Sequence, residues 1–286
     1  MQYGTEIIQE KQVNAIYKTI AGTVLVAASF AAQAEQLTGW KLVLPGQTVT
    51  NISQLGFNGT TFVDNTFAAN NNNLTFTDNG VFNITTKNSG AGVPRSGQLT
   101  ADFTNASGFG SLSSGTITFN AGGILDIYYN PNKAYGDTEP GGAATVANRY
   151  GAATGTKIAS FRQIGGNGNI KPDGSPAANG ELTLRFVSTF FANGVWLDQN
   201  GKNLMVGTTF GFVTSNASQE IGYVDPVLKQ ALSGSPSTQN NVPDHFFVSN
   251  GGQLKLETNA VPEPASLALF GLGLLGVAGL RRRNKA

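Results

Sequence analysis

Leu74-Thr75-Phe76-Thr77-Asp78-Asn79-Gly80-Val81-Phe82-Asn83-Ile84 carries the two marks on which the fold turns. Leu74 and Phe76 alternate with threonines, the period-two pattern of a half-buried strand. Asp78-Asn79-Gly80 then supplies turn chemistry, because a two-residue hairpin turn needs positive φ and Asn-Gly tolerates it. Val81 to Ile84 resumes strand-forming residues, so the stretch reads as a β-hairpin.

The same reading extends outward. Thr116 to Phe119, a turn at Asn120 to Gly123, and Ile124 to Tyr129 read as a second hairpin. Phe246 to Val248, a turn at Asn250-Gly251-Gly252, and Leu254 to Leu256 read as a final one. Leu182, Leu184 and Phe186 alternate with Thr183, Arg185 and Val187, and Phe210 and Phe212 flank Gly211. Charged residues make up 12% of the chain and glycine 37 of its 286 residues, which leaves few helix-forming surface positions. One helix is predicted: Asp225 as cap, Pro226 in the first turn, Val227 to Leu232, and a stop at Ser233-Gly234. No repeat of fixed period is present. Turn signals recur often enough to suggest a sandwich or a barrel, and the predicted fold is all-β, a jelly-roll-like β-sandwich over residues 35–260. Its loops, richest in Gly, Pro and Asn, fall at 70–73, 135–143, 165–180 and 233–243.

Both ends differ in kind from this body. Lys18 precedes an apolar stretch from Ile20 to Ala32, followed by Ala32-Gln33-Ala34. A charged flank, a short apolar core and a small-x-small site describe a secretory signal peptide over residues 1–34, cleaved after Ala34. At the other end stand Val261-Pro262-Glu263-Pro264, an uncharged run from Ala265 to Leu280, and Arg281-Arg282-Arg283. As a helix that run would be about 24 Å long at ~1.5 Å per residue, slightly short of a ~30 Å hydrocarbon core. Its leucines, Phe270 and Val277 together favour insertion by roughly 2–5 kcal/mol. The arginines would stay cytoplasmic and leave the bulk of the chain outside. Residues 261–286 thus form a sorting segment with a transmembrane helix and a basic stop.

Pro262-Glu263-Pro264, the Leu/Gly/Ala run and Arg281 to Arg283 resemble the PEP-CTERM sorting signal of Gram-negative bacteria. The resemblance implies an exosortase substrate that passes the Sec machinery, is held by the membrane through its C-terminal helix, and is processed near Pro264. A looser resemblance covers the body. Leu112 to Gly122, Ile158 to Phe161 with Gly165-Gly166, and Gly194 to Leu204 are similar to segments of flocculation-associated PEP-CTERM proteins, which act with exopolysaccharide in aggregation. The chain departs from that pattern at Leu197, where a second aromatic is expected before Asp198.

The chain carries 18 Lys+Arg, 17 Asp+Glu and a formal charge of +1. Six of the basic residues but only two of the acidic ones lie outside Glu35–Pro264, so the body keeps 12 against 15 and is mildly acidic. No basic surface remains for nucleic acid, which is excluded as a partner. Cysteine is absent, which removes thiolate metal sites and cysteine nucleophiles.

Candidate chemistry is sparse. The single histidine, His245, adjoins Asp244, but strand neighbours point to opposite faces, and no G-x-S-x-G elbow occurs. Gly271, Gly273 and Gly276 match G-x-G-x-x-G only inside the apolar tail. Asp102, Asp126, Asp137, Glu139, Glu181, Asp198 and Asp225 are scattered acids. Asp198 to Asn203 hints at a calcium loop but lacks its full spacing, and a turn at Asn200-Gly201 explains it more economically. Tyr135 and Tyr150, in polar glycine-rich surroundings, are the candidates for glycan contact. No catalytic residue, metal ligand or cofactor is assigned. The expected function is a non-enzymatic surface or matrix protein that promotes exopolysaccharide-linked aggregation in flocs or biofilm. A specific carbohydrate-binding module and an exported glycan hydrolase are the alternatives.

Overall fold

The computed structural model describes residues 36–257, except 70, 71, 89, 174, 178, 179 and 221 and the side chains of 180, 181 and 212–216. The signal segment with Ala32 and Ala34, Pro262-Glu263-Pro264, the apolar run and Arg281 to Arg283 lie outside the described residues. Among the described residues no helix is long and apolar enough to cross a membrane.

The strands are β1 (Trp40–Leu44), β2 (Gln47–Ile52), β3 (Leu55–Phe67), β4 (Asn73–Lys87), β5 (Ala91–Gly92), β6 (Gln98–Ser111) and β7 (Thr116–Phe119). They continue as β8 (Ile124–Asn130), β9 (Thr156–Asn169), β10 (Gly180–Phe191), β11 (Trp196–Leu197), β12 (Thr209–Gln219) and β13 (His245–Glu257). The helix α1 (Pro226–Ser233) stands where its cap and stop residues predict it.

The expected hairpins are instead long strands. β4 runs through Asp78-Asn79-Gly80 without turning, and its pairing with β3 continues as Val63↔Asp78, Phe62↔Asn79 and Thr61↔Gly80. Neither Asn79 nor Gly80 has the positive φ that a hairpin turn needs. Gly80 is small for a different reason: a Cβ there would stand 2.5 Å from Thr61 Cγ2 and 3.0 Å from the Phe82 ring. β13 likewise runs straight through Asn250-Gly251-Gly252, paired with Gly59, Asn58 and Phe57. β7 and β8 both lie antiparallel to β6 and to β9, so they run end to end rather than folding back. The gap between them is closed by Gln163, whose backbone N–H donates to Gly123 O at 2.6 Å and whose backbone carbonyl accepts from Gly122 N–H at 3.0 Å.

Length changes the architecture. The strand order β4-β3-β13-β12-β10-β9-β7-β6, with the further pairing β4–β6, returns to its start. β7 and β8 share one position, which makes an eight-stranded β-barrel. The all-β expectation holds, but the two-sheet sandwich does not form. Closure pairs each barrel strand on both sides, which two open sheets cannot do for their edge strands.

Inside, the barrel is a packed aromatic core. Phe161 stacks on Phe210 at 4.5 Å, while Phe57 meets Phe82, Phe76 meets Phe119 and Phe103 meets Phe186 edge to face. Outside, Thr66, Thr75, Thr77, Thr116 and Thr118 are exposed. Apolar inside and polar outside is the inverse of the alternation in an outer-membrane barrel. A three-stranded sheet, β11-β1-β2, packs on the core at one pole, where Trp40 and Trp196 stack at 5.3 Å. At this pole Gln36 bridges Glu257 and Leu37 N–H donates to Leu256 O, so the first and last described residues stand side by side.

Candidate functional site

Two long segments cover one flank of the barrel: the link from β8 to β9 and α1 with its approach. Asp225 Oδ1 accepts from the amides of Val227 at 2.7 Å and Leu228 at 3.4 Å, which fixes the start of α1. Gly234, at φ 84°, ends it in the left-handed region. Leu228 and Leu232 then bury against Phe62, Val81 and Phe247 on the outward face of β3, β4 and β13.

Arg149 clamps both segments to the barrel. Its Nε donates to Asp102 Oδ1 at 2.9 Å, and its other nitrogens reach the carbonyls of Ala231 and Phe103. Arg149 and Tyr150 both adopt positive φ, 55° and 58°. Non-glycine residues hold that region at a cost, and here the geometry turns the guanidinium inward and leaves Tyr150 half-exposed.

The structure brings both predicted tyrosines together, with ring centroids 5.6 Å apart and planes at 80°. Their roles differ. Tyr135 donates its hydroxyl to Val81 O at 3.2 Å, and burial, then Tyr150, pushes that hydroxyl up from its ordinary value. Tyr150 is raised by burial first and then by Asp225 and Tyr223. Tyr223 is 83% exposed and is the ring that solvent meets first. Tyr135 therefore supports from below, and Tyr150 with Tyr223 forms the accessible part.

The acids fall into separate settings. Asp102 and Asp126 face each other across β6 and β8, but Arg149 holds the first at 2.9 Å and Lys157 the second at 3.3 Å. Burial raises the Asp102 carboxyl while Arg149 opposes the rise. Burial, then Asp126 and Asp102, pushes the neighbouring Tyr128 hydroxyl up to about 12. Asp137 and Glu139 are exposed in the β8–β9 link, and the Glu181 side chain lies outside those described. Asp198 Oδ1 accepts from the amides of Asn200 and Lys202, so its own turn engages it. Among the described residues, no three His, Asp or Glu side chains gather as a metal-ligand group. His245 lies against the Phe62 ring, and Asp244 accepts instead from Asn241.

A polar island interrupts the core. Asp78 points inward from β4 and shares a hydrogen bond with Thr61, which also accepts from Asn250 Nδ2 at 3.1 Å. Asp78 Oδ1 and both ends of the Gln163 carboxamide are buried without a partner. Burial pushes the Asp78 carboxyl up to about 7.

Sequence reasoning passed over Phe109, which is 52% exposed on β6. The available signal was Gly108-Phe109-Gly110, an aromatic between two glycines. A Cβ at Gly108 would stand 2.3 Å from the Phe76 ring, and one at Gly110 2.6 Å from Ile117 Cγ2. The inward positions are already filled by neighbours, and the ring faces out.

The described residues thus form a closed barrel with polar outward positions, and its last strand ends at Glu257. Residues 260–283 match the PEP-CTERM protein-sorting motif, which takes in Pro262-Glu263-Pro264, the apolar run and Arg281 to Arg283. The motif marks a bacterial protein exported to the cell envelope, processed by exosortase and anchored at the membrane. No curated protein and no solved structure matched the chain.

Proposed function

We propose that the chain is a non-enzymatic surface or matrix protein that works with exopolysaccharide to hold cells together in flocs or biofilm. The observation that carries this reading is the sorting motif at residues 260–283. It follows a closed barrel whose outward positions are rich in threonine, serine and asparagine. Weak polymer contacts become effective when anchoring concentrates many copies at one surface. Support for a non-enzymatic role comes from the acids: Asp102 and Asp126, the facing pair, are each tied to a cation. A chain ended before Pro262 is expected to be released to the medium and to lose its support of clumping. Cell fractionation checks this, and unchanged envelope retention would contradict it.

A second reading, selective recognition of one glycan, is favoured by the exposure of Tyr223 beside Tyr150. Aromatic faces of this kind take up the apolar side of a sugar ring. On that reading a glycan array gives a small set of saturable hits that Tyr223→Ala removes. An array with no selective hit counts against it.

A further inference from the structure

The geometry points to a neutral-polysaccharide groove on the outer face of the barrel, centred on Phe109 and distinct from the tyrosine flank. The inference rests on the matrix reading above and names where the polymer would lie.

The groove, about 630 Å³, is bordered by the β3–β4 and β6–β7 connections. Cross-strand register sets its floor: Thr66 is opposite Thr75, Thr75 opposite Phe109, and Phe109 opposite Thr118. These four outward side chains form a row about 14 Å long at ~4.8 Å per strand step, room for a short run of sugar rings. Along that row one aromatic face has hydroxyls on both sides, and Phe67, Ala68 and Leu74 add apolar lining at the edge of the groove. A pyranose presents the matching pattern, a C–H face for the ring and equatorial hydroxyls for the threonines.

The described residues of the rim are tied to one another. Asn72 ties the two connections together, donating to Ser111 Oγ at 3.1 Å and Ser113 Oγ at 3.0 Å and accepting from Ser113 N–H at 2.8 Å. Side chains already held by such bonds lose little freedom on binding.

Other occupants fit less well. Among the described residues lining the groove none carries a charge, so a phosphate backbone or an anionic polymer has no cation to meet. A peptide strand needs a free sheet edge, and β3, β4, β6 and β7 are each paired on both sides. A lipid surface would leave the row of threonine hydroxyls without partners. A neutral polyhydroxyl chain satisfies both the ring and the hydroxyls.

The test uses the full exported protein in affinity gel electrophoresis through hydroxyethylcellulose or dextran, with alginate as the anionic comparison. Phe109→Ala is expected to bind the neutral polymer about tenfold more weakly, equivalent to about 1.4 kcal/mol. Its melting temperature should stay that of the parent, because the ring is half in solvent. Thr75→Val with Thr118→Val should weaken binding in the same direction, and Tyr223→Ala should leave it unchanged. Parental retardation in both groove variants overturns the groove, as does retardation by alginate alone. Groove variants that lose binding, in a species whose deletion strain still clumps normally, would uphold the groove and sink the matrix reading.

Discussion

Gly59→Ala is expected to unfold the barrel or to leave it severely destabilised. Gly59 lies on the inward face of β3, and a Cβ there would stand 2.1 Å from Val81 O and 2.7 Å from Phe82 Cα. Both obstacles are backbone, so no side-chain rotation relieves them. The strands must separate, and Gly59 lies between β4 and β13, paired with Phe82 on one and Asn250 on the other. Overpacking against backbone on this scale costs about 3 kcal/mol, the upper end of the usual range. For a domain of this size that lowers the melting temperature by roughly 6–12 °C. Gly92→Ala is the control: its nearest obstacle is Thr85 O at 4.0 Å, and it should shift stability by less than about 0.5 kcal/mol. Thermal unfolding followed by circular dichroism compares the two. A Gly59→Ala protein that melts with the parent would show that β3 and β4 can spread at no cost.

Asp78→Asn is expected to stabilise the protein above neutral pH and to flatten its pH dependence. The folded barrel holds the Asp78 proton up to about pH 7, whereas an unfolded aspartate releases it near 3.8. The folded state therefore binds the extra proton between those values. Its stability is fullest below about pH 4, drains as pH rises to about 7, and is level above. A rise of that size corresponds to about 4 kcal/mol. Asparagine keeps the shape and the bond to Thr61 but carries no charge. In denaturant titrations at pH 5 and pH 8, the parent should lose stability between the two while Asp78→Asn changes little. Parallel slopes in both proteins would show that the Asp78 carboxylate finds solvent when ionised.

Much of the secondary structure was legible, because it rests on local chemistry. Asp225, Pro226 and Gly234 locate α1, and the alternation at Leu182, Leu184 and Phe186 locates β10. The choice of barrel over sandwich was not legible, and the glycines explain why. In a single sequence, Asn79-Gly80 and Gly251-Gly252 look like places where the chain reverses. Here Gly80 leaves room for Thr61 and Phe82, which come from two different strands. That crowding depends on the register between β3 and β4, which no pattern within either strand records. The tyrosine flank divides in the same way. Polar, glycine-rich surroundings mark Tyr135 and Tyr150 as exposed, and Tyr150 is half so. Both rings pack against the α1 cluster, from a segment much later in the chain, and Tyr135 is held further by the bond from its hydroxyl to Val81 O. Phe109 is the converse case: its exposure follows from Phe76 and Ile117 occupying the space inward of its neighbouring glycines.

The side-by-side placement of Gln36 and Glu257 has a mechanical consequence. β13 ends at that pole, and β3, hydrogen-bonded along it, runs from there toward the Phe109 end. A pull through the chain beyond Glu257, resisted by polymer at the far end, would act parallel to the strands. The β13–β3 rungs would then share the tension together instead of parting one after another.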